Sequence, residues 1–138
     1  MAEKEKNTRR TVLIVTAAIV LVLVIIGGVV LIWVTRGLSK YEKIVVQKVD
    51  FSRVPDGTYT GNFDGGRWSN TVRVTVKDHK VTDITLIKDM TFKSPSKARE
   101  IFRRVESAQS LNVDTISGAT VTSKAYLQAI ANALLKAP

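Results

Sequence analysis

Near its C-terminus the chain reads Ser110-Leu111-Asn112-Val113-Asp114-Thr115-Ile116-Ser117-Gly118-Ala119-Thr120-Val121-Thr122-Ser123-Lys124. This stretch is crowded with hydroxyls, carries one glycine and runs into a segment of helical periodicity. A helix N-terminus offers unpaired N–H groups and the positive end of the helix dipole, which together favour an anion such as phosphate. Gly118 lets backbone come close to such a group. Thr120 presents a hydroxyl at that spot, and Lys124, one turn on, adds positive charge. The same residues have a plainer use, with Thr120, Thr122 or Ser123 serving as a simple N-cap. Residue types alone leave both readings open. A threonine hydroxyl is a weak nucleophile without a base or metal to activate it. No convincing base stands near the motif, so no catalytic residue is assigned.

Composition narrows the chemistry further. The 138 residues include no Cys and one His. That removes disulfides, thiolate metal sites, Fe–S ligation and cysteine nucleophiles, and any zinc site built on two or three imidazoles. No metal site is expected. No GxSxG, P-loop or GxGxxG sequence occurs. His79 reads as a solvated turn residue, and Lys97, Arg99, Arg103 and Arg104 as a solvated basic helix face.

The elements that must position the hydroxyl-rich loop fall into two parts. Residues 11–34 are uncharged and hold 20 apolar residues in 24 positions. As a helix they extend roughly 36 Å, enough to cross a hydrocarbon core of about 30 Å. No small-residue cleavage site precedes Trp33 and Arg36, so an uncleaved span is expected. Lys4, Lys6, Arg9 and Arg10 precede it, and Arg36, Lys40 and Lys43 follow. The basic count favours a cytoplasmic N-terminus and an extracytoplasmic C-terminal part. Gly27-Gly28 is not a GxxxG spacing, so no tight dimer seam is indicated. The expected organisation is a basic cytoplasmic tail over 1–10, a transmembrane helix over 11–34, a juxtamembrane stalk over 35–54 and a folded domain over 55–138. Ile44-Val45-Val46 leaves helix continuation and strand both open within the stalk.

In the folded domain, Pro55-Asp56-Gly57 signals a turn. Residues 58–63 alternate with Tyr59 and Phe63 on one face, predicting a first strand. Val72, Val74 and Val76 alternate with polar residues, and a tight connection over 77–80 leads to a partner strand over 81–87, with Ile84 and Leu86 inward. The period then changes. Ser94-Pro95 suits an N-cap and first helical position, and Ala98, Ile101, Phe102, Val105 and Ala108 mark the apolar face of a helix. A second helix is expected over 122–135, with Tyr126, Ile130, Ala131 and Leu134 inward. Strands first and helices after predict an α+β domain, an antiparallel sheet packed by two helices.

Asp114-Thr115-Ile116-Ser117-Gly118-Ala119-Thr120 resembles the flavinylation motif, Asp-x-x-Ser/Thr-Gly-Ala-Thr, of the FMN-binding domain family. That family includes the flavin-carrying subunits of sodium-pumping NADH:quinone oxidoreductase and of the Rnf electron-transport complex. The similarity extends through Asp56-Gly57-Thr58-Tyr59-Thr60-Gly61, the hairpin with residues 72–76, and Ala108-Gln109-Ser110, covering most of 55–136. One departure is His79, where small members often carry glycine; Asp78-His79 is a poorer turn than Asp-Gly, although His tolerates positive φ better than most residues. The chain is also much shorter than the large pump subunits, so membership of such a pump does not carry over.

The resemblance implies FMN joined by a phosphoester to Thr120, attached by a separate flavin transferase with FAD as donor. Gly118 and Ala119 then keep the approach narrow but unobstructed, and Ser117 and Thr122 donate to the phosphate. Lys124 serves as a charge partner. Asp114 orients the loop or is read by the attaching enzyme; more plainly, it merely ends the preceding segment. Trp68, Met90 and Phe92 are candidates to touch the isoalloxazine ring, with core or loop-edge packing as the plainer reading.

The expected function is a membrane-anchored, extracytoplasmic electron carrier rather than a complete enzyme. It would relay electrons between an unidentified redox donor and acceptor, with the lipid bilayer as its other partner. The rival is a membrane-anchored basic module without flavin. Residues 35–138 hold 17 Lys+Arg against 10 Asp+Glu, net +7, a charge that attracts anionic lipid or acidic envelope polymer. Nucleic acid is not expected as a partner, because no strand face interleaves aromatic and basic residues.

Overall fold

The computed structural model describes all 138 residues and divides them into two compact units, Met1–Leu38 and Ser39–Pro138. The first unit is helix α1, Ala2–Thr35. Helix starts well before the apolar run, so the basic tail is helical too. Glu3 and Glu5 occupy the first turn, where the helix dipole favours acids, and Glu5 pairs with Arg9 at 3.3 Å. None of its side chains is buried. Thr16 donates to the Val12 carbonyl at 2.8 Å and Thr35 to that of Leu31 at 2.8 Å, so these hydroxyls need no water. By length and composition this one helix is apolar enough to cross a membrane.

A one-turn helix α2, Leu38–Glu42, leads into the second unit. Residues 44–50 are neither helix nor strand. Asp50 then caps a 3-10 turn, Phe51–Arg53, accepting from the Ser52 N–H at 3.1 Å. Phe51 and Val54 are buried, with Val46 and Val49 packed against the same core. The later part of the segment expected as a stalk therefore belongs to the domain's interior.

Strands β1 (Gly57–Phe63), β2 (Asn70–Lys77) and β3 (Lys80–Lys88) form an antiparallel meander in that order. Val72 and Val74 are fully buried and pair with Gly61 and Tyr59 of β1. On β3, Ile84 is buried and Leu86 partly so, as the alternation predicts. Asp78 and His79 both take positive φ, 53° and 59°, the conformation of a two-residue hairpin loop. Asp56 accepts from the His79 N–H at 3.1 Å, and the His79 ring Nδ1 lies 3.0 Å from the Val54 carbonyl oxygen. These contacts hold a turn that lacks the usual glycine. The backbone N–H groups of Asp78 and His79 also lower the Asp56 carboxyl pKa.

Helix α3, Pro95–Ala108, buries Ala98, Ile101, Phe102 and Val105. Ala108, expected on that face, is exposed instead. The reason lies one residue on: Gln109 turns left-handed (φ 49°) and ends the helix. Its amide pairs with the edge of β3, accepting from the Val81 N–H at 2.8 Å and donating to the Val81 carbonyl at 2.9 Å.

Helix α4, Thr120–Leu135, lies against β1 and β2 and begins two residues before the expected start. Tyr126, Ile130, Ala131 and Leu134 are buried as expected, and so are Ala125, Leu127, Ala129 and Ala133. The alanines allow close approach, and Gly61 completes it: a Cβ there would collide with backbone atoms of Ala129 and Ala133. Tyr126 stacks edge-on against Phe102 and donates to Asp89 Oδ1 at 2.7 Å. Burial, and then the Asp89 carboxylate, push its phenol pKa well above the ordinary range.

Candidate functional site

The loop after α3 reaches α4 through a tight turn. The Ala119 N–H donates to the Ile116 carbonyl at 2.9 Å, leaving Ser117 and Gly118 at the tip. Gly118 has φ +75°, where an L side chain is strained. A Cβ at Gly118 would meet nothing within 4 Å, so the turn needs this glycine for its dihedral angle rather than for clearance from protein atoms. Ser117 and Gly118 are both exposed.

Ala119 is the N-cap of α4 and is buried, and no side chain caps that terminus. The plain N-capping use of Thr120, Thr122 or Ser123 is thus not the one the structure adopts. Thr120 is the first helical residue and half-buried, and Thr122 is half-buried too. The uncapped first turn keeps its N–H groups available to an anion, and the Thr120 hydroxyl is not spent on closing the helix. Ser123 is fully buried. Its Oγ accepts from the Ile116 N–H at 3.0 Å and donates to the Ala119 carbonyl at 2.7 Å.

Two clefts flank the loop, and Asn112, Val113 and Thr115 form a wall shared by both. One, of about 860 Å³, lies towards α3 and is lined by Arg103, Arg104, Ser107, Asp114 and Ser117. Arg104 Nη1 donates to the Asp114 carbonyl at 2.8 Å, and its Nε donates to Glu100 at 3.0 Å. The basic face of α3 therefore includes residues that border the motif. Nothing in the spacing of that face distinguishes Arg103 and Arg104 from Lys97 and Arg99. The other cleft, of about 820 Å³, lies towards residues 44–50 and is lined by Val46, Val49, Leu111, Leu127 and Lys124.

Lys124 does not turn to the start of α4. Its ammonium donates to the Glu42 carbonyl at 2.6 Å. Asp114 is exposed, and it is its main-chain oxygen that Arg104 holds. Of the ring candidates, Met90 is buried in the core and Phe92 is exposed. Trp68 is half-buried, 5.2 Å from the Tyr41 ring, with the Arg67 guanidinium 4.8 Å from its centroid. The structure thus gathers Asp114, Ser117, Gly118, Ala119, Thr120 and Thr122 at one loop and helix start. Lys124 stands apart, tied to Glu42.

The family described as FMN-binding domain matches residues 66–135, from the turn before β2 to the end of α4. An NADH:acrylate oxidoreductase of Vibrio harveyi is 37% identical over 82 residues, which are 56% of this chain and 8% of that protein. The chain thus spans less than a tenth of that curated relative's length.

Proposed function

The chain belongs to the FMN-binding domain family, and from that premise we propose that it is a membrane-anchored flavoprotein holding FMN covalently on Thr120. In this reading it relays electrons outside the cytoplasm between a redox donor and an acceptor. The observation that carries the attachment site is the start of α4: a terminus without a side-chain cap, entered through a glycine turn, with Thr120 as its first residue.

The residues suit a phosphorylated cofactor. The first-turn N–H groups point along the helix axis towards any phosphate held there, and the Thr120 hydroxyl supplies the ester oxygen. Attachment forms a bond from Thr120 Oγ to the phosphorus carried in from FAD and breaks the pyrophosphate linkage. AMP leaves, and the hydroxyl proton passes to a base. No side chain of the loop is hydrogen-bonded to the Thr120 hydroxyl to take that proton, so in this reading a separate flavin transferase supplies the base. Bound FMN supplies reversible one- and two-electron chemistry. The chain's part is to hold the phosphate end and to keep the flavin beside its partners. A covalent tether suits a compartment in which a dissociated cofactor is lost by dilution.

The oxidoreductase name of the relative supports a redox role for the domain. The relative's activity belongs to a much longer protein, and what is carried to this chain is the reading of its FMN-binding domain as an electron-carrying module. Lys4, Lys6, Arg9 and Arg10, ahead of the apolar run of α1, support a cytoplasmic N-terminus.

The test uses the full chain made beside a flavin transferase and extracted from the membrane. Cleavage after Arg104 and Lys124 releases residues 105–124 as one peptide. Mass spectrometry is expected to find FMN on Thr120, and the denatured band is expected to fluoresce. An unmodified peptide beside an active transferase refutes the attachment and favours the basic binding module. For placement, Lys93→Cys puts one thiol at an exposed position in a chain without cysteine. It is expected to react with an impermeant maleimide in intact cells; labelling only after lysis reverses the topology.

A further inference from the structure

Ser123 is the only buried serine in the chain, and neither the membrane anchor nor the ester linkage uses it. Its exposure is 0%, and both hydrogen-bonding capacities of its hydroxyl point at the attachment loop. The Oγ accepts from the N–H of Ile116, the first residue of the glycine turn, and donates to the carbonyl of Ala119, the last. The Ala119 carbonyl also accepts from the Ser123 N–H at 2.9 Å, and the turn closes on itself through the Ala119 N–H to Ile116 carbonyl bond. One hydroxyl therefore spans the turn from behind and fixes both ends against the first turn of α4. At its other end the loop is fastened by Arg104, whose guanidinium holds the Asp114 carbonyl at 2.8 Å.

We propose that Ser123 is a positioning residue for flavin attachment: by pinning Ile116 and Ala119, it sets the turn that delivers the Thr120 hydroxyl in reactive geometry. The inference rests on Thr120 being the attachment site. The chemistry favours such a device. Ser117 and Gly118 are exposed at the tip, and a side chain at position 118 would meet no protein atom within 4 Å. Packing alone cannot hold the tip, so hydrogen bonds at its base must. A hydroxyl transferred onto phosphorus has to be aligned with the leaving group, and misplacement by about 1 Å costs on the order of 100-fold in rate. An apolar residue at position 123 fills the space but leaves the part-buried Ile116 N–H without its acceptor.

The test compares the full chain with Ser123→Ala, Ser123→Thr and Ser123→Cys. Val76→Ala on β2, a core truncation away from the loop, serves as a stability control. Thr keeps the hydroxyl and commonly bonds the carbonyl one turn back. Cys is close to isosteric but a weak acceptor, and it stands in for Ala should the Ala variant not fold. Two readouts are taken: the rate of FMN incorporation into the 105–124 peptide at saturating transferase and FAD, and amide exchange of Ile116 and Ala119 in the flavin-free chain.

Ser123→Ala and Ser123→Cys are expected to slow incorporation by on the order of 10- to 100-fold. They are also expected to speed exchange at Ile116, while Ser123→Thr restores both and Val76→Ala changes neither. Incorporation by Ser123→Ala or Ser123→Cys within twofold of the parent overturns the proposal. So does equal slowing in Val76→Ala, which makes the effect one of general stability. Failure of the parent chain itself to acquire FMN refutes the Thr120 reading instead, so the two failures are told apart.

Discussion

Replacing Thr120 by Ala separates the chemical role of the hydroxyl from any structural one. Ala119, not Thr120, is the N-cap, and α4 has no side-chain cap hydrogen bond to lose. The usual cost of about 1 kcal/mol for deleting a capping hydroxyl therefore does not apply. Two smaller terms remain, with opposite signs. Alanine gains up to about 0.7 kcal/mol in helix propensity. Deleting the half-buried methyl loses roughly half of the 0.8 kcal/mol that a fully buried one contributes. The net change is within about 0.5 kcal/mol, which moves the melting temperature of a domain near 100 residues by no more than about 4 °C. Thermal melts of flavin-free protein in detergent, followed by far-ultraviolet dichroism, measure this. Mass spectrometry of residues 105–124 then reads attachment: none for Thr120→Ala, and retained flavin for Thr120→Ser, which keeps the oxygen. A folded Thr120→Ala chain that still carries covalent flavin refutes the site. A fall in melting temperature beyond about 10 °C refutes the view that the hydroxyl is uncommitted, for it would then be holding the helix start.

Two further outcomes test the frame that carries the site. Gly61→Ala puts a Cβ 2.6 Å from Ala133 Cα and against the backbone of Ala129. It is expected to cost about 1–3 kcal/mol by overpacking, at about 4–8 °C of melting temperature per kcal/mol; an unchanged melt contradicts the close β1–α4 approach. For Tyr126, the folded phenol pKa lies above the unfolded value of 10.0. The stability this residue contributes is present below pH 10 and declines above it, as the unfolded chain loses its proton while the folded one keeps it. The stability difference between the parent and Tyr126→Phe, from urea unfolding, is therefore expected to shrink between pH 9 and pH 11. A difference that holds or grows contradicts the buried Tyr126–Asp89 arrangement.

The α+β architecture was legible because each period in the sequence has one strong cause. Val72, Val74 and Val76 alternate because one sheet face is buried, and Ala98, Ile101, Phe102 and Val105 recur at helical spacing because one stripe is. The misreadings occur where tertiary contacts decide. Residues 46–54 look like a charged linker because Lys48, Asp50, Ser52 and Arg53 surround the four apolar residues that dock. Ala108 fits the helical stripe, yet the left-handed Gln109 ends α3 beside it and leaves it in solvent. Lys124 sits one turn beyond Thr120 by spacing, but its long side chain reaches Glu42, distant in sequence. Among the hydroxyls at the start of α4, spacing marked the N-cap candidates but not their division of labour. Ser123 became the turn's anchor because it is the one directed into the interior.

That division reflects two opposed demands on one helix. α4 is the most extensively buried element of the domain, with ten of its sixteen residues inside. Its first turn must nevertheless meet a second macromolecule if a transferase is to modify it. A loop with its own packing would shield Thr120 from that enzyme, whereas a loop without any would leave the hydroxyl unaligned. Within the turn 116–119 the chain meets both demands by exposing Ser117 and Gly118 at the tip and tying the turn's ends to the buried side of α4 through Ser123. The rigidity of the core is thereby transmitted to Thr120 by two hydrogen bonds. On this argument, variants that loosen the β1–α4 contact at Gly61 and variants that remove the Ser123 hydroxyl are expected to differ in kind. The first lower stability with little effect on attachment in the molecules that remain folded. The second lower attachment in molecules that are almost all folded.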